Sequence, residues 1–148
     1  EDLMRQIAPD GPVYQAGTLS GNPLAVAAGT AMLRFIEEEG VYEHLEELGA
    51  MFDRAFADLW QRLGIPLQWN RSGAMGSLFF SEDPVVDWPS AAAASQDRFN
   101  AFFHGMLERG IHLPPSRFEA WFWSFMHTQE DVERTIGVAE DVLQSMEV

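Results

Sequence analysis

The sequence predicts an α+β fold: a small antiparallel sheet packed by helices on one side, preceded by a long helix. Three observations carry this. Between residues 42 and 63, Leu45, Leu48, Phe52, Phe56, Leu59 and Leu63 recur at three- and four-residue steps, the stripe of a core-facing helix. Leu67-Gln68-Trp69 and residues 74–80 alternate like two strands about the turn Arg71-Ser72-Gly73. Thr128, with Asp131 three residues on, opens a last helix whose buried stripe is Val132, Ile136, Ala139, Leu143 and Met146.

In chain order, residues 1–7 read as the end of a helix. The stretch GPVYQAGTLSGNP, from Gly11 to Pro23, leads from apolar residues into a loop of small hydrogen-bonding ones, then into a helix start. Asn22 suits the N-cap, and Pro23 suits the first helical position, where its missing N–H costs nothing. Free N–H groups at this junction, with the hydroxyls of Thr18 and Ser20, suit an anion; the same pattern also serves as a plain capped turn. The helix that follows carries no charge from Leu24 to Leu33, and a helix apolar all round is normally covered on every side. Ala25, Ala28, Gly29 and Ala31 permit close approach by a neighbour. Gly40 marks a break, and Gly64 can close the striped helix. Residues 82–89 read as loop, with Pro84 and Pro89 as breakers. A helix is expected from about Ser95 to Arg109, with Phe99, Phe102, Phe103, Met106 and Leu107 on its apolar face and Gly110 at its end. Residues 111–113 and 118–125 read as two further strands.

The chain has 148 residues, the length of one ordinary domain, and its 47% hydrophobic content with five Trp and eleven Phe argues for a packed core. A net charge of −14 makes nucleic acid and acidic membrane surfaces poor partners, because phosphate binding needs clustered cations. The acidic runs, such as Glu37-Glu38-Glu39 and Glu46-Glu47, look like solvated helix faces. Cysteine is absent, which excludes disulfides and thiol chemistry and is compatible with the cytosol. No stretch approaches the ~20 apolar residues of a membrane span. The histidines, His44, His104, His112 and His127, share no ligand spacing, so no metal site is expected.

Particular wordings point further. YQAGTLSGNPLA from Tyr14 to Ala25, its lead-in Ile7-Ala8-Pro9-Asp10-Gly11-Pro12, and the run GIHLPPSRFEA from Gly110 to Ala120 with His127-Thr128-Gln129-Glu130-Asp131 together resemble the pyridoxal-phosphate-dependent class III aminotransferases, in their aminomutase branch. The resemblance covers essentially the whole chain and the last third of such an enzyme. It implies the C-terminal domain of a fold-type I PLP-dependent transferase. Residues 1–22 would be a remnant of the large PLP domain with the phosphate loop, 23–64 linking and interface helices, and 65–148 the C-terminal α+β domain. It also implies pyridoxal 5'-phosphate as cofactor, a small-molecule amino-aldehyde substrate, a homodimer partner subunit and a cytoplasmic setting. Gly17 and Thr18 match family positions that reach the cofactor phosphate in the neighbouring subunit's site. Tyr14 matches a tyrosine near cofactor and substrate, and Glu119 a glutamate facing the substrate pocket. Each also has a plain reading: a tight turn, a packed tyrosine, a surface glutamate.

The family holds its cofactor as a Schiff base on a lysine. Here all nine basic residues are arginine, whose guanidinium stays protonated and cannot substitute. The chain contains no catalytic residue of that kind and is expected to be inactive alone. Trp121 and Trp123 stand where the family usually has smaller residues, and strand alternation puts them on the face of Glu119, narrowing any pocket there. Many class III aminotransferases use an arginine in this region for a substrate carboxylate. None occurs from Phe118 to Val132, and Arg134 falls inside the last helix, which favours an aminomutase. A related ω-aminotransferase and a lysine-free assembly domain stand as alternatives.

Overall fold

The computed structural model describes residues 1–146; the final two positions of the expected C-terminal domain lie outside the described residues. The chain forms two compact units, Glu1–Glu39 and a second beginning at Gly40.

In the first unit, residues 1–7 contain a 3-10 turn at Met4–Gln6 that ends in extended backbone at Ile7. The backbone then folds back on itself. Ala8 N–H donates to the Val13 carbonyl and Val13 N–H to the Gln6 carbonyl, both at 2.9 Å. Gly11 permits this closure, since a Cβ there would stand 2.3 Å from the Gln6 carbonyl carbon. Helix α1 spans Pro23–Glu38. Asn22 Oδ1 accepts from the N–H groups of Leu24 at 3.1 Å and Ala25 at 3.2 Å. Helix α1 buries none of its residues; Leu24 is 80% and Leu33 65% exposed.

The second unit opens with α2, Val41–Leu63, which is entered at Gly40 (φ 62°) and left at Gly64 (φ 66°). Both glycines adopt the left-handed conformation that L side chains avoid. Strands β1 (Gln68–Ser72) and β2 (Met75–Phe79) form an antiparallel hairpin, and β3 (Trp121–Phe122) pairs antiparallel with β2, giving the order β1-β2-β3. Helices α4 (Gln96–Glu108) and α5 (Gln129–Ser145) follow the hairpin and β3 respectively. Thr128 and Asp131 cap α5 reciprocally, each side chain bonding the other's backbone N–H. This is the expected α+β architecture.

Register explains the core. Trp69 lies opposite Leu78, while Arg71 and Trp121 both lie opposite Gly76, so these residues share one face of the sheet. That face meets Phe52 and Phe56 of α2 and Phe102 of α4, within a core that also takes in Leu143 of α5. The Trp121 ring lies 5.3 Å from Trp69 and stacks on Phe102 at 6.4 Å. Gly76 lies under the Trp69 indole, where a Cβ would come within 2.2 Å of the ring. Phe79 points to the opposite face and forms a small second cluster with Val85 and Ala94.

Three local expectations are corrected. Residues 111–113 form no strand; Ile111 N–H turns back to the Met106 carbonyl at 2.9 Å and finishes the α4 terminus. The strand expected over 118–125 contracts to Trp121–Phe122, because Glu119 N–H closes a turn onto the Ser116 carbonyl and Ser124 N–H goes to the His127 ring. Residues 82–89 are not wholly loop. Asp87 and Ser90 form a capping box that starts a further helix, α3, at Trp88–Ala93. Pro89 sits in its first turn, where proline is tolerated rather than disruptive.

Candidate cofactor and substrate site

The segment from Tyr14 to Asn22 is built from two successive turns. Ser20 N–H donates to the Gly17 carbonyl at 3.0 Å, and Asn22 N–H to the Leu19 carbonyl at 3.1 Å. Gly17 leaves room for the Ser20 hydroxyl, which stands 2.6 Å from where a Cβ would be. The start of α1 is capped as expected, with Asn22 at the N-cap and Pro23 at the first helical position. Asn22 Oδ1 takes the Leu24 and Ala25 N–H groups, its carbonyl takes that of Val26 at 2.9 Å, and Pro23 has none. The helix N-terminus therefore has no spare donor. The spare donors lie one turn earlier: among the described residues, no hydrogen bond uses the N–H of Gly17, Thr18 or Leu19, or the Thr18 hydroxyl.

This donor set fits a phosphate. Its oxygens are acceptors that need several N–H and O–H groups at close range, and a glycine lets the backbone approach. The capped helix behind contributes the positive end of its dipole without spending its N–H groups on the ligand. Tyr14, four residues before Thr18, is 83% exposed and presents both ring and phenol.

Glu119 belongs to the second unit and is exposed, with its backbone at the end of the Ser116–Glu119 turn. Trp121 and Trp123 follow it, but each is only 6% exposed, with its indole in the core. Trp123 Nε1–H donates to the Leu45 carbonyl at 2.9 Å, fixing β3 to α2. A groove of about 460 Å³ runs between residues 110–114, β3 and the start of α5, lined among others by His112, Trp121 and Arg134. Arg134, which the sequence assigns to a helix interior, thus reaches a concave surface.

Two of the four histidines, His44 and His127, hold the connection between β3 and α5. His127 Nδ1 accepts the Ser124 N–H at 3.0 Å, just before the α5 cap. His44 Nε2 lies 2.9 Å from the His127 carbonyl, so that nitrogen carries the proton. Among the described residues no group of three or more His, Cys, Asp or Glu side chains could hold a metal, and no helix is long and apolar enough to cross a membrane.

Sequence reasoning missed two charged constellations. Arg71 donates to Glu46 at 2.6 and 2.8 Å and to Asp53 at 2.9 and 3.0 Å, while Trp69 Nε1–H adds a 2.8 Å bond to Asp53. The Arg71 hydrogen bond holds the Glu46 carboxyl below its ordinary range, and the Glu46 hydrogen bond raises Arg71 above its own. Gly49 makes room for this guanidinium, 2.8 Å from where its Cβ would be. The second constellation is Arg117, whose guanidinium donates to the carbonyls of Ala92, at 3.0 Å, and Ala94. The Asp87-x-x-Ser90 pattern was the available signal for the helix that supplies those carbonyls.

Comparison with known proteins bears on the whole chain. A curated glutamate-1-semialdehyde 2,1-aminomutase of Desulfitobacterium hafniense is 52% identical over 143 residues, covering 97% of this chain and 33% of the relative. A curated enzyme of the same name from Thermus thermophilus is 50% identical, covering 96% and 34% respectively. A solved glutamate-1-semialdehyde-aminomutase variant from Pseudomonas aeruginosa PAO1, in complex with PMP, superposes with a TM-score of 0.76 at 25% identity, covering 92% of this chain and 31% of that one. The chain thus spans about a third of the length of the curated relatives it matches. Residues 1–127 match the family model of class-III aminotransferases, and the chain belongs to that family.

Proposed function

We propose that the protein containing this chain is a glutamate-1-semialdehyde 2,1-aminomutase. It would exchange amino and carbonyl groups on adjacent carbons to give 5-aminolevulinate, for tetrapyrrole synthesis. The observation that carries the reading is half-identity to relatives of that name over nearly the entire chain. Pyridoxal phosphate, when bound, supplies the electron sink and the amino-group carrier.

The residues of this chain bind and orient. Gly17 and Thr18 donate to the cofactor phosphate, with charge-assisted hydrogen bonds from the unspent N–H groups and the Thr18 hydroxyl. Tyr14 packs its ring and offers its phenol beside the substrate. Glu119 accepts hydrogen bonds from substrate amino groups; two carboxylate oxygens suit a reaction in which adjacent carbons must be held in turn. Residues 1–22 then belong to the large cofactor domain, 23–64 to linking and interface helices, and 65–148 to the C-terminal domain. The site is completed by the partner of a cytoplasmic homodimer. Because the chain has no lysine, covalent attachment of the cofactor falls to the rest of the parent, and this chain alone is inactive.

The test is turnover by the full-length protein given glutamate-1-semialdehyde with no external amino donor. Stoichiometric 5-aminolevulinate is expected. A strict requirement for an ω-amino donor would assign the protein to the ω-aminotransferases instead.

A further inference from the structure

We infer that Arg117 is a positioning residue for Glu119, and that α3 is the shelf against which it works. The inference rests on the reading of Glu119 given above. Glu119 ends a turn in which its own N–H donates to the Ser116 carbonyl at 3.0 Å and Phe118 N–H donates to the Ser116 hydroxyl at 3.2 Å. Strand pairing starts only at Trp121, so no ladder bond fixes this turn. An exposed carboxylate on an unanchored turn samples many positions, and catalysis is sensitive to displacements of about an ångström.

The anchor comes from the two residues before Glu119. The Arg117 guanidinium spans the carbonyls of Ala92 and Ala94, which end α3. Cations suit the carbonyl end of a helix, and a planar fork presents separate nitrogens to two carbonyls in a fixed geometry, where an ammonium offers one nitrogen on a flexible stem. Phe118 lies under the same guanidinium, 4.6 Å from its centre, and packs its ring 4.7 Å from that of Trp88 at the start of α3. Arg117 and Phe118 therefore grip the two ends of one short helix.

The shelf itself is fixed to the sheet. Ser95 N–H donates to the Phe80 carbonyl at 2.9 Å, just beyond β2, and Asn70 Nδ2–H donates from β1 to the Val85 carbonyl at 2.7 Å. Ala94 is buried with Phe79 and Val85. Arg117 Nε is buried with no partner among the described residues. An unmade buried donor is unfavourable, and a shorter amide would avoid it. Arginine at this position is explained by the two-carbonyl span.

The experiment uses the full-length enzyme, with kcat, KM, cofactor content and Tm measured for Arg117→Gln and Arg117→Lys, each with Glu119 intact and as Glu119→Gln. Arg117→Gln is expected to lower kcat/KM ~10-fold or more, with cofactor content unchanged. In the Glu119→Gln background the same change should cost less than ~2-fold, because a residue that acts through another is not additive with it. Arg117→Lys should fall between wild type and Arg117→Gln. Equal losses in both backgrounds, or no loss from Arg117→Gln, would overturn the positioning role while leaving Glu119 in place. A neutral Glu119→Gln would instead remove the reading of Glu119, and this inference with it. If Arg117→Gln fails to fold, Arg117→Lys decides, through the same cycle and through amide exchange of residues 116–120. Faster exchange there supports the anchor, and unchanged exchange contradicts it.

Discussion

Helices α1 and α2 are consecutive, yet the more apolar of the two is the one that buries nothing. Helix α1 is uncharged from Leu24 to Leu33 and has no buried residue. Helix α2 is rich in glutamate and aspartate yet buries Leu48, Gly49, Phe52, Phe56 and Leu59. The difference lies in patterning. A stripe at three- and four-residue steps specifies one covering surface, and the sheet beside α2 provides it. A helix apolar all round specifies several, and we propose that the rest of the parent and the partner subunit supply them. Stability should therefore reside in the second unit and association in the first.

The sharpest way to break this comparison is to truncate one large side chain in each unit. Trp121→Ala removes an indole packed on Trp69, Phe52 and Phe102, and should cost ~3–5 kcal/mol in urea denaturation. Leu33→Ala, at an exposed site, should change stability by less than ~0.5 kcal/mol. Similar effects from both would mean that α1 is covered within the chain.

Glycines give a finer contrast. Gly76→Ala drives a methyl into the Trp69 ring and should destabilise by ~1–3 kcal/mol. In α1, Gly29 has open space around the added methyl, and Gly29→Ala should stabilise by ~0.5–1 kcal/mol through helix propensity. Thermal melts of the two variants should move in opposite directions.

Association sharpens the comparison from the other side. The apolar face of α1 should make the chain self-associate at micromolar concentration, since soluble monomers rarely tolerate large apolar patches. Leu24→Glu and Val26→Glu should each lower the mass seen by light scattering. A monodisperse monomer that ignores both substitutions would contradict the assignment of α1 as an interface helix.

Much of the second unit was legible because its signals are local. The α2 stripe, the hairpin alternation and the Thr128–Asp131 cap each announce one element through neighbouring residues. The strand at 111–113 failed because an apolar triplet does not reveal whether its N–H groups will find a ladder or a helix end. Helix α3 was hidden because Pro89 was weighed as a breaker and the Asp87–Ser90 box went unread. At the candidate site, Gly17 and Thr18 were legible as anion-facing residues, but not that the helix start itself would keep no spare donor. That depends on Asn22 using its own oxygens on the helix. The role of Arg117 was not legible at all, since its acceptors lie more than twenty residues away in a helix absent from the sequence reading.

The smallest expected effect is on pH, and it too belongs to the second unit. The Arg71 hydrogen bond holds Glu46 below the ordinary carboxylate range, the Ser90 hydroxyl does so for Asp87, and the Thr128 backbone N–H for Asp131. When folded values lie below unfolded ones, the unfolded chain binds more protons as acid is added. Their stabilisation is thus present above the ordinary range, about pH 4, and is lost as pH falls through the depressed values. The urea midpoint should be flat near neutrality and decline in acid, with a shallower decline in Asp131→Asn.

The claim that the first unit carries the cofactor-holding turn is tested most directly by Thr18→Ala in the full-length protein. Loss of one charge-assisted donor should weaken pyridoxal phosphate binding by ~1.5–3 kcal/mol, on the order of ten- to a hundred-fold in Kd. The unfolding midpoint of the cofactor-free protein should not move, because this hydroxyl bonds to nothing among the described residues. An unchanged Kd would show that the Gly17–Thr18 turn is structural and does not hold the phosphate.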